Sequence, residues 1–113
     1  RQRETGDALC GGFLSWHSLA ALDRLGIEGL EGAPVNHLRL FGPRGRARAR
    51  LPRPALGLSR HRLDGALLAR AERLGTGIER GITVRRVNGS SVRTDAGETT
   101  APNVLLATGK HDV

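Results

Sequence analysis

Four groups of residues in this chain have types and spacings that could do chemistry. Cys10-Gly11-Gly12 joins a thiol to two glycines, a backbone that can lie against a flat ring without side-chain interference. Leu58-Ser59-Arg60-His61-Arg62-Leu63-Asp64 sets an arginine just ahead of an apolar helical stripe, and its planar fork suits phosphate or carboxylate oxygens. Val104-Leu105-Leu106-Ala107-Thr108-Gly109 is an apolar run ending in Ala-Thr-Gly, and in open α/β sheets ligands collect outside the carboxyl ends of such strands. Arg46, Arg48 and Arg50 alternate with small apolar residues, a period of two that puts three guanidinium groups on one face of a strand.

The elements that must position these groups follow from capping and periodicity. Ser15 is an N-cap, Trp16, Leu19, Ala20, Leu22 and Leu25 form a helical stripe, and Gly26 closes it, which predicts a helix over 16–25. Gly and Pro between 26 and 34 break regular structure. Val35 to Phe41 reads as a strand, Gly42-Pro43-Arg44-Gly45 as a turn, and 46–51 as the returning strand of a hairpin that Pro52 and Pro54 end. Leu56 to Leu58 is a short extended piece, and Ser59 opens a second helix with Leu63, Ala66, Leu67, Ala71 and Leu74 on its apolar face and Gly75 and Gly77 at its close. Gly81 to Val87, then Ser91 to Thr94, then Glu98 to Ala101 make an antiparallel meander with turns at Asn88-Gly89 and Asp95-Ala96-Gly97. Val104 to Ala107 shows no alternation, the pattern of a strand covered on both faces. The fold class expected is α/β or mixed α+β.

Composition bounds the function. The chain has 113 residues, enough for one small domain or part of one, and contains no Met. It starts at Arg1, so the expectation is an interior stretch of a longer protein. With one cysteine there is no disulfide framework, and with no His pair at ligand spacing there is no metal site. Cys10 as a nucleophile needs a cation or helix N-terminus to lower its pKa; an inert thiol before a turn is the plainer reading. No apolar run reaches the length needed to span a bilayer, so the protein is expected in the cytoplasm, with peripheral membrane contact left open. The net charge is +7, but of 18 basic residues only Lys110 is lysine, an Arg bias that GC-rich coding produces by itself. With two Phe, one Trp and no Tyr to stack bases, nucleic acid is a disfavoured partner.

In their order, Arg1-Gln2-Arg3, Cys10-Gly11-Gly12-Phe13-Leu14-Ser15, the segment Leu58 to Asp64 with Leu67, and Ala107-Thr108-Gly109 resemble the middle of the flavin enzymes that include geranylgeranyl reductases and the para-hydroxybenzoate hydroxylase group. The resemblance covers most of the chain apart from the hairpin. It implies an FAD/NAD(P)-binding, Rossmann-like three-layer domain, incomplete here because no G-x-G-x-x-G loop is present. Residues 1–29 and 56–113 would belong to that domain and 30–55 to a β-hairpin of a substrate domain. FAD is the implied cofactor, NAD(P)H the implied electron donor, and a small organic molecule or O2 the acceptor.

The resemblance also implies roles. Arg1 would follow the acidic residue that binds the adenosine ribose. Cys10, Gly11 and Gly12 would pass the isoalloxazine ring. Arg60 would bond ribityl and phosphate oxygens, Val84 would lie on the strand that passes the adenine, and Thr108 and Gly109 would end the strand beside the cofactor. Many relatives carry Ala-Asp-Gly or Asp-Ala-Thr-Gly in that last segment, whereas this chain has Ala107-Thr108-Gly109-Lys110, a departure that favours reductase-like or uncharacterised flavoproteins over aromatic hydroxylases. No residue is assigned as a catalytic acid or base. Asp64 near the helix N-terminus is explained by the helix dipole. The alternative to the flavin reading is a basic binding module whose Arg44 to Arg53 hairpin contacts nucleic acid or another polyanion; for the arginine row itself the plainer reading is the solvated face of a hairpin, with a wall of a substrate pocket second.

Overall fold

The computed structural model of the chain describes residue 10 and residues 12–108, and shows a mixed α/β architecture of two helices and two small antiparallel sheets. Arg1, Gly11 and Gly109 lie outside the described residues. These residues fall into two compact units, 10–78 and 79–108, so that the hairpin and both helices share one unit.

In the first unit β1 is Phe13–Leu14, α1 Trp16–Arg24, β2 Ala33–Gly42, β3 Gly45–Gly57 and α2 Arg60–Arg73. Both helices begin and end as their caps predict. Ser15 Oγ accepts the Ser18 N–H at 3.2 Å, and Ser59 Oγ accepts the Arg62 N–H at 3.4 Å. At the far end of α1, Gly26 takes φ 68°, its N–H reaches the Asp23 carbonyl at 2.8 Å and the Ile27 N–H reaches the Leu22 carbonyl at 3.0 Å. Gly75 (φ 87°) and Thr76 repeat that pair of bonds to Glu72 and Ala71 at the end of α2. The first of these Schellman turns drops Ile27 onto Leu22, and the two join Leu58 and Leu63 as the buried cluster, with Leu14, Leu30, Leu56, Ala66 and Leu67 packed around it. Leu74, expected on the buried stripe of α2, is the helix's C-cap and lies exposed.

The sheet order is β1-β3-β2, which makes β3 central. Pro52 and Pro54 were expected to end that strand, and they do not. Below the two-residue turn Pro43-Arg44 the register runs Gly42↔Gly45 to His37↔Arg50; it resumes at Val35↔Ala55, so the single residue Asn36 opposes Leu51 to Pro54. A proline has no N–H to give a ladder, and the excess residues of this bulge are where the missing donors fall. The two-residue strand β1, unforeseen in the sequence, pairs Phe13↔Gly57 and Leu14↔Leu56.

The second unit is the expected meander: β4 Val84–Asn88, β5 Ser91–Thr94 and β6 Glu98–Thr100 in the order β4-β5-β6. Gly81 to Thr83 stay outside the strand, tied instead to the β5–β6 turn: the Thr83 N–H meets Asp95 Oδ1 at 3.0 Å and the Asp95 N–H meets the Thr83 carbonyl at 3.1 Å. The expected terminal strand is corrected. Residues 104–107 have no regular structure, and Leu105 and Leu106 are 94% and 68% exposed. An unalternating apolar strand is stable only between neighbours that pair it and layers that cover it, and among the described residues none does so. Every strand pairing described is antiparallel, so a Rossmann-like layer is not shown.

Candidate functional site

Gly12 and Leu58, far apart in sequence, are neighbours in the fold. The cause is β1: once Phe13–Leu14 joins the end of β3, the residue before β1 must meet the residue after β3. The Leu58 N–H donates to the Gly12 carbonyl at 2.7 Å. Gly12 has φ 62°, and a Cβ there would stand 3.0 Å from the Leu58 carbonyl oxygen, so both conformation and space call for glycine. Cys10 is exposed and unpaired.

Arg60 opens α2. Its Nη2 binds Asp64 Oδ1 at 2.7 Å one helical turn on, and its Nε is buried without a hydrogen-bond partner. The ion pair explains Asp64 more directly than the helix dipole does. The first turn of α2 holds no acid and two arginines, Arg60 and Arg62. Cations at that end oppose the macrodipole, which favours anions there. Arg62 donates from Nη1 to the Glu31 carbonyl at 2.9 Å and lines an open depression of about 500 Å³ with Glu31, Gly32, Ala33, Gly57, Leu58 and Ser59.

Of the other expected site residues, Val84 and Thr108 belong to the second unit and both are exposed, Val84 at the first pair of β4 opposite Thr94. Ordinary core packing is therefore no account of Val84. Sequence reading missed Gly32, where a Cβ would come 2.5 Å from the Gly57 carbonyl oxygen, and Arg70, whose Nε donates to the Leu25 carbonyl at 2.9 Å and ties α2 to the end of α1. A glycine within a Gly-rich loop carries no signal of which neighbour it meets.

The hairpin holds the densest charge. Cross-strand partners share a face, so His37, Arg39 and Phe41 of β2 stand beside Arg50, Arg48 and Arg46 of β3. Arg44 lies in the turn and Arg53 in the bulge, so neither continues that row. The opposite face is apolar, pairing Leu38 with Ala49 and Leu40 with Ala47. No cluster of metal-binding groups occurs among the described residues.

FAD, the cofactor the resemblance implies, can be tested against the first cluster. An unpartnered buried guanidinium N–H and an acid-free helix start offer donors to a phosphate or ribityl oxygen, and Gly12 removes the side chain that would crowd the turn. These residues fit the group. No protein-family model, curated protein or solved structure matches the chain.

Proposed function

We propose that the chain is part of a cytoplasmic FAD-dependent oxidoreductase that passes hydride from NAD(P)H to flavin and on to a small organic substrate or O2. One observation carries the reading: the Gly12 carbonyl accepts from the N–H of Leu58, two residues before Arg60, whose Nε lacks an acceptor at a helix start without acids. Local electrostatics that run against helix stability are expected where a ligand resolves them. Flavin, when bound, supplies the redox chemistry, and the protein supplies position and charge.

In this reading Gly12 keeps backbone close to the cofactor and Arg60 holds an anionic or ribityl oxygen through its fork. Asp64 orients that fork. Val84 and Thr108 are proposed as further cofactor contacts, together with Arg1, Gly11 and Gly109 outside the described residues. Among the described residues no helix is long and apolar enough to cross a membrane.

The test is flavin content of the natural full-length product. Purified from its own host it is expected to carry flavin absorbance, and Arg60→Lys is expected to lower retained flavin about tenfold, because an ammonium keeps the charge and loses the bidentate fork. Thermal unfolding of the variant should change little. A natural product free of flavin, or an Arg60→Lys protein that retains it fully, would overturn the assignment.

A further inference from the structure

The face of the hairpin that carries His37, Arg39, Phe41, Arg46, Arg48 and Arg50 has a feature that no folding argument explains. Arg39 sits directly opposite Arg48. Directly opposed residues of an antiparallel pair have Cα atoms about 4.5–5.5 Å apart, and like charges there are destabilising. Arg46 and Arg50 flank the pair along β3 at successive same-face positions, each about 7 Å away along the strand. Arg60–Asp64 and Arg93–Glu98 form ion pairs, and no described carboxylate is paired with Arg39, Arg46, Arg48 or Arg50. Three of its guanidinium-bearing residues, Arg39, Arg46 and Arg48, converge with Phe41 on a hollow of about 280 Å³. Phe41 is 74% exposed there, although Leu38 and Leu40 line the other face.

We propose that this hollow binds a small organic diphosphate: Arg39, Arg46 and Arg48 hold the phosphate oxygens and Phe41 covers the apolar or ring-bearing remainder. The inference is independent of the flavin assignment. A single carboxylate would offset one of three adjacent positive charges, whereas a diphosphate supplies several acceptor oxygens at the spacing of neighbouring guanidinium groups. A long polyanion fits less well. From Arg46 to Arg50 the row spans about 14 Å, with Phe41 at one end and the His37 imidazole at the other, too few and too widely separated to stack successive bases. A membrane plane fits less well also, because Leu38 and Leu40 face away from the arginines.

The experiment is a calorimetric titration of the full chain with inorganic pyrophosphate at low salt. One saturable site is expected, with Arg39→Gln and Arg48→Gln each weakening it tenfold or more, and Arg53→Gln, in the bulge, weakening it less than twofold. A second readout separates binding from folding. Without ligand, Arg48→Gln is expected to raise the melting temperature by about 2–4 °C, because it removes a like-charge pair. Absence of saturable binding, equal binding by the Arg39 and Arg48 variants, or binding confined to oligonucleotides or anionic vesicles would overturn the proposal.

Discussion

Single residues in this chain are constrained by backbone contacts and by hydrogen-bonded charge. Gly12 and Gly32 lie against carbonyl oxygens that crowd a Cβ, and Arg62 and Arg70 each donate to a backbone carbonyl. In the second unit, Asp95 accepts the Thr83 N–H, which holds its carboxyl below the ordinary range with help from Arg85. Glu98 is held low first by the Ser91 hydroxyl, which donates to its Oε1, and then by Arg93 at 3.1 Å from its Oε2. A carboxylate with a depressed folded pKa stabilises the fold above its unfolded value and loses that contribution as pH falls through the folded one. The meander is therefore expected to loosen as pH drops from roughly 5 downward. Side-chain NMR titration should find both midpoints below the ordinary carboxylate range, and midpoints at or above that range would refute the assignment.

At the scale of elements, the two helices were legible because their signals are local. A serine cap, an apolar stripe and a terminal glycine occur within one stretch of chain, and the bonds they predict are the ones found at Ser15, Gly26, Ser59 and Gly75. Strand β3 was half legible. Its alternation from Arg46 to Leu51 indicated a strand, but its passage through Pro52 and Pro54 depends on what the partner strand does. The turn at Pro43-Arg44 sets one register and the contact of Leu56 with the core another, offset by three residues, and the bulge takes up the difference. Deleting Pro52, Arg53 and Pro54 would let both registers run as one ladder, with Leu51 opposite Asn36. The deletion variant is expected to unfold cooperatively within a few degrees of the wild type, since the pairs on each side keep their partners. Circular dichroism melting that shows loss of cooperativity would mean that the bulge is required rather than merely accommodated.

Across the whole molecule, burial is uneven. The residues of the first unit that leave solvent are Leu22, Ile27, Ala55, Leu58 and Leu63, whereas no residue of 79–108 is buried. Burying one aliphatic side chain contributes about 1.5–3 kcal/mol, so four such residues in one cluster give the helical unit most of its favourable packing. A three-stranded meander without a buried face is marginal. Amide exchange should therefore be slowest at Leu22, Ile27 and Leu63 and markedly faster throughout β4, β5 and β6. Equal protection in the two units would show that the meander is covered. The net charge of +7 is concentrated rather than spread, with Arg39, Arg46, Arg48 and Arg50 on one hairpin face, and it is there that an anion gains most.

By itself the sequence determined both helices, their caps, the hairpin turn, the order of the meander and the row of arginines on β3, because each rests on residues within a few positions of one another. It also placed Arg60 at a helix start. Tertiary structure alone decided what lies across each strand: Gly12 against Leu58, Arg39 against Arg48, and Asn36 against a four-residue bulge. It also decided that Val104 to Ala107, apolar enough for a buried strand, forms none, and no described strand pairs with it. Pairing is a property of two segments, and neither segment carries the other's register.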